Sequence, residues 1–142
     1  MKKFEFLEHT ADIYVASYGR DFKEALENAA VALFEVMTET EKISPVLMRE
    51  IEAEGHDEKA LLYDWLEKLI ITFETEGLLF SKFEVYKIEK EGEKYLLKAK
   101  AFGEPFNPSK HMQKVGVKAI TYHTMKIERK DDSIVLKFLL DI

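Results

Sequence analysis

Helical periodicity is confined to two stretches of this chain, and after residue 78 the apolar residues alternate on a two-residue period, a division that limits the fold to one class. The first helical stretch repeats Phe22, Ala25/Leu26, Ala29/Ala30, Leu33/Phe34 and Met37 on one face. Asp21 stands at its N-cap position with Glu24 three residues on, a capping box with Asp in place of Ser or Thr. The second follows Gly55-His56-Asp57 with Leu61/Leu62, Trp65/Leu66, Leu69/Ile70 and Phe73, and Gly77 supplies a stop. Asp64 and Lys68 form an i,i+4 pair on its polar side, and Trp65 lies within the apolar stripe and is read as core. Strands are expected over 4–7, 13–18, 80–89, 95–102, 117–128 and 133–140, with 43–54 an edge strand because it carries Pro45. Glu91-Gly92 and Asp131-Asp132 mark hairpin turns, and Gly103-Glu104-Pro105-Phe106-Asn107-Pro108 a loop with Lys110 and His111 near its end. The sum is an α+β fold: one domain over residues 1–142, two amphipathic helices packed on a mainly antiparallel sheet.

A chain of 142 residues can bury roughly two-thirds of its unfolded surface in one core. It has no cysteine, which removes disulfides, thiolate metal sites and redox chemistry. The start, Met1-Lys2-Lys3-Phe4-Glu5-Phe6-Leu7-Glu8, meets two glutamates before any long apolar run and does not read as a signal peptide, and no run is long enough for a membrane span. A cytoplasmic protein without a membrane partner is expected. Its net charge of −6 makes it a poor primary binder of nucleic acid, so any link to RNA should pass through another protein.

Phosphate-loop, HExxH, GxSxG and EF-hand patterns are absent. What remains is a set of hard oxygen donors at two points. Asp141-Ile142 puts a side-chain carboxylate and the terminal carboxylate one residue apart, behind the strand-like run 134–140. His9-Thr10-Ala11-Asp12 interrupts two strands and offers a third carboxylate and an imidazole, although Thr10 and Asp12 are also ordinary turn residues. Alternation would place Ala119, Thr121 and His123 on one strand face, a polar group that could equally be satisfied by neighbours.

Taken together, Glu8-His9-Thr10-Ala11-Asp12, Tyr63-Asp64-Trp65-Leu66, Val117-Lys118-Ala119-Ile120-Thr121-Tyr122-His123 and the closing Leu140-Asp141-Ile142 resemble the archease family over essentially the whole chain. The resemblance implies a non-catalytic partner of the RtcB-type RNA-splicing ligase, promoting guanylylation of that ligase and its multiple turnover in tRNA splicing, with RNA met only through the ligase. It further implies a metal site of Asp12, Asp141 and the terminal carboxylate of Ile142, with His9, Thr10 and His123 around it or facing the ligase. Carboxylate donors without thiolate suit Mg²⁺, Ca²⁺ or Mn²⁺. Two other classes stay open on the residues alone: a metal-dependent phosphoesterase or nucleotide hydrolase using the same carboxylates, and a chaperone-like binding module.

Overall fold

The computed structural model describes residues 2–7 and 11–142. Along the chain run β1 (Phe4–Leu7), β2 (Ile13–Gly19), α1 (Phe22–Met37), a 3₁₀ turn at Thr40–Lys42, β3 (Leu47–Gly55), α2 (Glu58–Glu76), β4 (Leu78–Glu91), β5 (Lys94–Pro105), β6 (Ala119–Lys130) and β7 (Ser133–Asp141).

Both helices start where the sequence signals it. The Asp21 carboxylate accepts from the Glu24 N–H at 2.8 Å, satisfying one of the free amides of the first turn of α1. The capping box is shifted by one residue, since Glu24 reaches back to the N–H of Arg20 rather than to that of Asp21. Asp57 caps α2 through the Ala60 N–H, and Gly77 ends it in the left-handed region at φ 66°, where a side chain would be strained. Trp65 is fully buried, and its indole N–H donates to the Leu26 carbonyl of α1 at 2.9 Å, which joins the two helices through a polar contact inside the core.

Where one sheet was expected there are two: a four-stranded sheet ordered β1-β2-β7-β6 and a three-stranded one ordered β3-β5-β4, with antiparallel pairing throughout. The helices connect them, α1 packing on β2 and β4 and α2 on β3 and β6. One cluster of buried apolar side chains, including Phe34, Trp65, Phe80, Leu97 and Phe138, runs through both. A single hydrophobic pattern cannot distinguish one sheet from two, because each strand needs only one buried face in either case.

Three boundaries differ from the sequence reading. The segment around Pro45 is not strand; β3 begins at Leu47, though it is an edge strand as expected. Gly103, Glu104 and Pro105 belong to β5 rather than to a loop, Gly103 pairing with both Leu47 and Phe80. A Cβ on Gly103 would lie 1.8 Å from the Leu79 carbonyl oxygen, so the residue that suggested a loop is there for close approach of a neighbouring backbone. Val117 and Lys118 precede β6, which starts at Ala119. Among the described residues no helix is long and apolar enough to cross a membrane.

Candidate metal and partner site

Strand register brings the two aspartates predicted from sequence to the same end of the interior β2–β7 pair of the four-stranded sheet. β2 and β7 pair antiparallel up to Ile13 opposite Leu140, both of which turn into the core. Asp12 directly precedes Ile13 and Asp141 directly follows Leu140, so the two aspartates lie at the same end of the β2–β7 pair. Asp12 is half-buried and Asp141 exposed.

The far side of β7 is held as well. Asp141 pairs with Ala119 of β6, and its carbonyl accepts from the Lys118 N–H at 2.7 Å. The Ile142 side chain packs against the core, so the main chain beyond β7 is anchored on both sides. These donors are all oxygen, in keeping with a hard cation. Among the described residues no group of three or more His, Cys, Asp or Glu side chains is placed to hold a metal ion. The expected set has two such side chains and a main-chain carboxylate. Glu8, His9 and Thr10, the rest of the first motif, lie outside the described residues.

His123 is placed otherwise than strand alternation predicts. Thr121 pairs with Leu139 and Lys126 with Lys137, so residues 122–125 of β6 stand opposite Phe138 alone, and the regular two-residue period is lost there. The bulge is strained: Thr124 adopts φ 58°, a region β-branched residues seldom occupy. Local bonds hold it, the His123 N–H donating to Thr121 Oγ1 at 3.0 Å and Thr124 Oγ1 to the His123 carbonyl at 2.6 Å. Two tyrosines brace it from outside the strand. The Tyr14 hydroxyl of β2 donates to the Thr124 carbonyl at 2.8 Å, and Tyr122 stacks on Tyr63 of α2 with ring centroids 4.3 Å apart and planes 6° from parallel. His123 itself is exposed.

Tyr14 and Thr124 carry no distinguishing signal in the sequence, and Tyr63 and Tyr122 are marked only as members of the family motifs. No glycine or proline flags the bulge, and Ile120-Thr121-Tyr122-His123-Thr124-Met125 reads as uninterrupted strand.

His111 belongs elsewhere and is structural. It is buried, its Nδ1 accepting from the Asn107 N–H and its Nε2 lying 2.9 Å from Glu104 Oε2. The Glu104 carboxylate also accepts from Lys110 Nζ at 2.6 Å and from the Ser44 N–H at 2.8 Å. Burial alone would raise Glu104, but these donors hold it down to about 2.

Comparison with known proteins gives one family throughout. Residues 4–142 match the model of the archease protein family (MTH1598/TM1083). Protein archease of Sulfurisphaera tokodaii is 52% identical over 142 residues, which is 100% of each chain. The solution structure of Methanobacterium thermoautotrophicum protein 1598 superposes with a TM-score of 0.87 at 42% identity, covering 100% of both chains. A crystal structure of a Thermotoga maritima archease, described as a possible chaperone, shares the fold at TM-score 0.61 and 24% identity, covering 96% of this chain and 94% of that one.

Proposed function

The chain belongs to the archease family, and from that premise we propose that it is a non-catalytic activator of an RtcB-type RNA-splicing ligase, acting through a divalent-cation site of Asp12, Asp141 and the terminal carboxylate of Ile142. The observation that supports the reading is the β2–β7 ladder, whose last pair, Ile13 opposite Leu140, leaves Asp12 and Asp141 as the next residues at the same end of the two strands. Two carboxylates brought to one end of neighbouring strands repel each other, and a shared cation offsets that repulsion.

The chain's own part is to fix the donors. Core packing of Ile142 and the Lys118 N–H bond hold the end of β7, and in this reading its two anionic groups share the cation with Asp12, which precedes the neighbouring strand. Three protein donors leave further coordination positions for water or for a group of the partner. A bound Mg²⁺, Mn²⁺ or Ca²⁺ would supply charge neutralisation beside a nucleotide's phosphates during guanylylation of the ligase. The exposed His123 is assigned to the surface that meets the ligase rather than to the cation, and His9 and Thr10 to the surroundings of Asp12.

The test is ligase guanylylation by GTP with and without this protein, alongside hydrolysis of GTP and of phosphoesters by this protein alone, each with added Mg²⁺, Mn²⁺ or Ca²⁺. Faster guanylylation and no hydrolysis are expected. Hydrolysis by the isolated chain would instead make it a metal-dependent phosphoesterase, and prevention of aggregation of unrelated unfolded proteins without any effect on the ligase would favour the chaperone description given to the Thermotoga relative.

A further inference from the structure

From the Tyr63–Tyr122 stack and its charged rim we infer that the cleft between α2 and the β6 bulge is a receptor for an arginine side chain presented by the partner protein; the inference rests on the reading of that partner as the ligase. Tyr122 uses one face of its ring against Tyr63 and is still 53% exposed. Its other face is open to a further stacking partner.

The rim is acidic. A cleft of about 350 Å³ beside the rings is bordered by Glu54, Asp64 and Glu67, with Asp57 also near Tyr122. Partial burial pushes the Tyr122 phenol up, and Tyr63 and the carboxylates of Asp57, Asp64 and Glu67 push it further in the same direction. Lys68 and Lys94 are occupied by Asp64 at 3.0 Å and Glu54 at 2.9 Å. Among the described residues, Asp57 and Glu67 have no lysine or arginine counter-ion, Asp57 meeting His56 at 3.5 Å and capping α2 through the Ala60 N–H, and Glu67 accepting from the Tyr63 hydroxyl.

An aromatic face framed by carboxylates matches one side chain better than any other. Guanidinium lies flat on the ring and keeps its N–H edges free for bidentate bonds to carboxylate, whereas an ammonium group can make only one of these contacts well. A nucleobase could stack on Tyr122, but the phosphates that come with it would meet the same carboxylates with like charge. A basic surface on the ligase satisfies both halves of the site.

The experiment measures complex formation between this protein and the purified ligase by calorimetry, in parallel with Mn²⁺ affinity and circular dichroism, for the native chain, Tyr122→Ala, Tyr122→Phe and Glu67→Lys. Tyr122→Ala should weaken the complex about 3- to 30-fold, the range that loss of a cation–π contact spans, with Mn²⁺ affinity unchanged. Tyr122→Phe keeps the ring and should bind like the native chain. Glu67→Lys, on the exposed side of α2, should weaken binding and steepen its loss with salt. Native-like ligase affinity in Tyr122→Ala or in Glu67→Lys overturns the inference while leaving cation-dependent activation intact. A native chain that neither binds nor activates the ligase overturns the proposed function and, with it, this occupant. Binding of a single-stranded oligouridylate that Tyr122→Ala abolishes would show the platform to be a base-stacking site instead.

Discussion

Asp12 and Thr124 are the two residues whose replacement separates function from fold most clearly. Asp12→Asn keeps shape and hydrogen-bonding capacity while removing the negative charge a divalent ion requires. Asp12 is half-buried at a strand start, outside the apolar core, so the variant should fold and melt like the native protein but lose divalent affinity and ligase activation. Calorimetric titration with Mn²⁺ and the guanylylation assay check it, and native values in both would remove Asp12 from the site. Thr124 should respond in the opposite sense. At φ 58° a threonine is strained by about 1 kcal/mol or more, and glycine is not. Thr124→Gly should therefore raise unfolding stability in urea by about 0.5–1 kcal/mol, the loss of its hydroxyl bond to the His123 carbonyl taking back part of the relief. A destabilised Thr124→Gly would mean that the hydroxyl, and not the backbone angle, holds the bulge.

At the scale of elements, the end of β7 is the sharpest object. If the Ile142 carboxylate is a donor, one appended glycine turns it into a neutral amide and carries the terminal charge away by up to ~3.5 Å. The Lys118–Asp141 main-chain bond and the packing of Ile142 should survive, so stability is retained while divalent affinity falls. Unchanged affinity would show that two carboxylates suffice. Elements were also where sequence reading worked best and failed most instructively. Both helices were legible because Asp21, Asp57 and Gly77 are local signals that act within one turn of the residues they stop or start. Asp12 and Asp141 could be nominated from their chemistry and the family resemblance, but their placement at one end of the same strand pair depends on a β2–β7 register between residues more than a hundred positions apart. The bulge at 122–125 was illegible because its cause is tertiary: Tyr14 and Tyr63 brace it from two other elements. Gly103 misled for a related reason, since only the approaching Leu79 carbonyl explains why it is glycine.

For the molecule as a whole, acid stability should be governed in part by the Glu104 cluster, which ties β5 to the Phe106–Lys118 loop and to Ser44. Its folded value of about 2 lies below the unfolded value of 4.5, so its stabilisation is fully present above about pH 4.5 and is lost as pH falls toward 2. The loss amounts to up to about 3 kcal/mol at about 1.4 kcal/mol per pH unit. Glu104→Gln should be less stable than the native protein at neutral pH and show a flatter decline between pH 5 and 2, read from urea midpoints across that range; parallel declines would assign the acid limb to other groups. Glu27 acts in the opposite sense, because burial raises it despite the bond from the Val85 N–H, so its protonation on acidification favours the folded form. The order β1-β2-β7-β6 also has a bearing on synthesis. β7 is translated after every other strand yet lies in the interior of its sheet, so β2 and β6 leave the ribosome with open edges that no earlier segment of the chain can cover. A nascent chain can complete the three-stranded sheet and both helices first, but Asp141 is brought to the end of β2 only when β7 threads between its two neighbours. Prematurely released chains would therefore expose unpaired strand edges and lack Asp141 altogether.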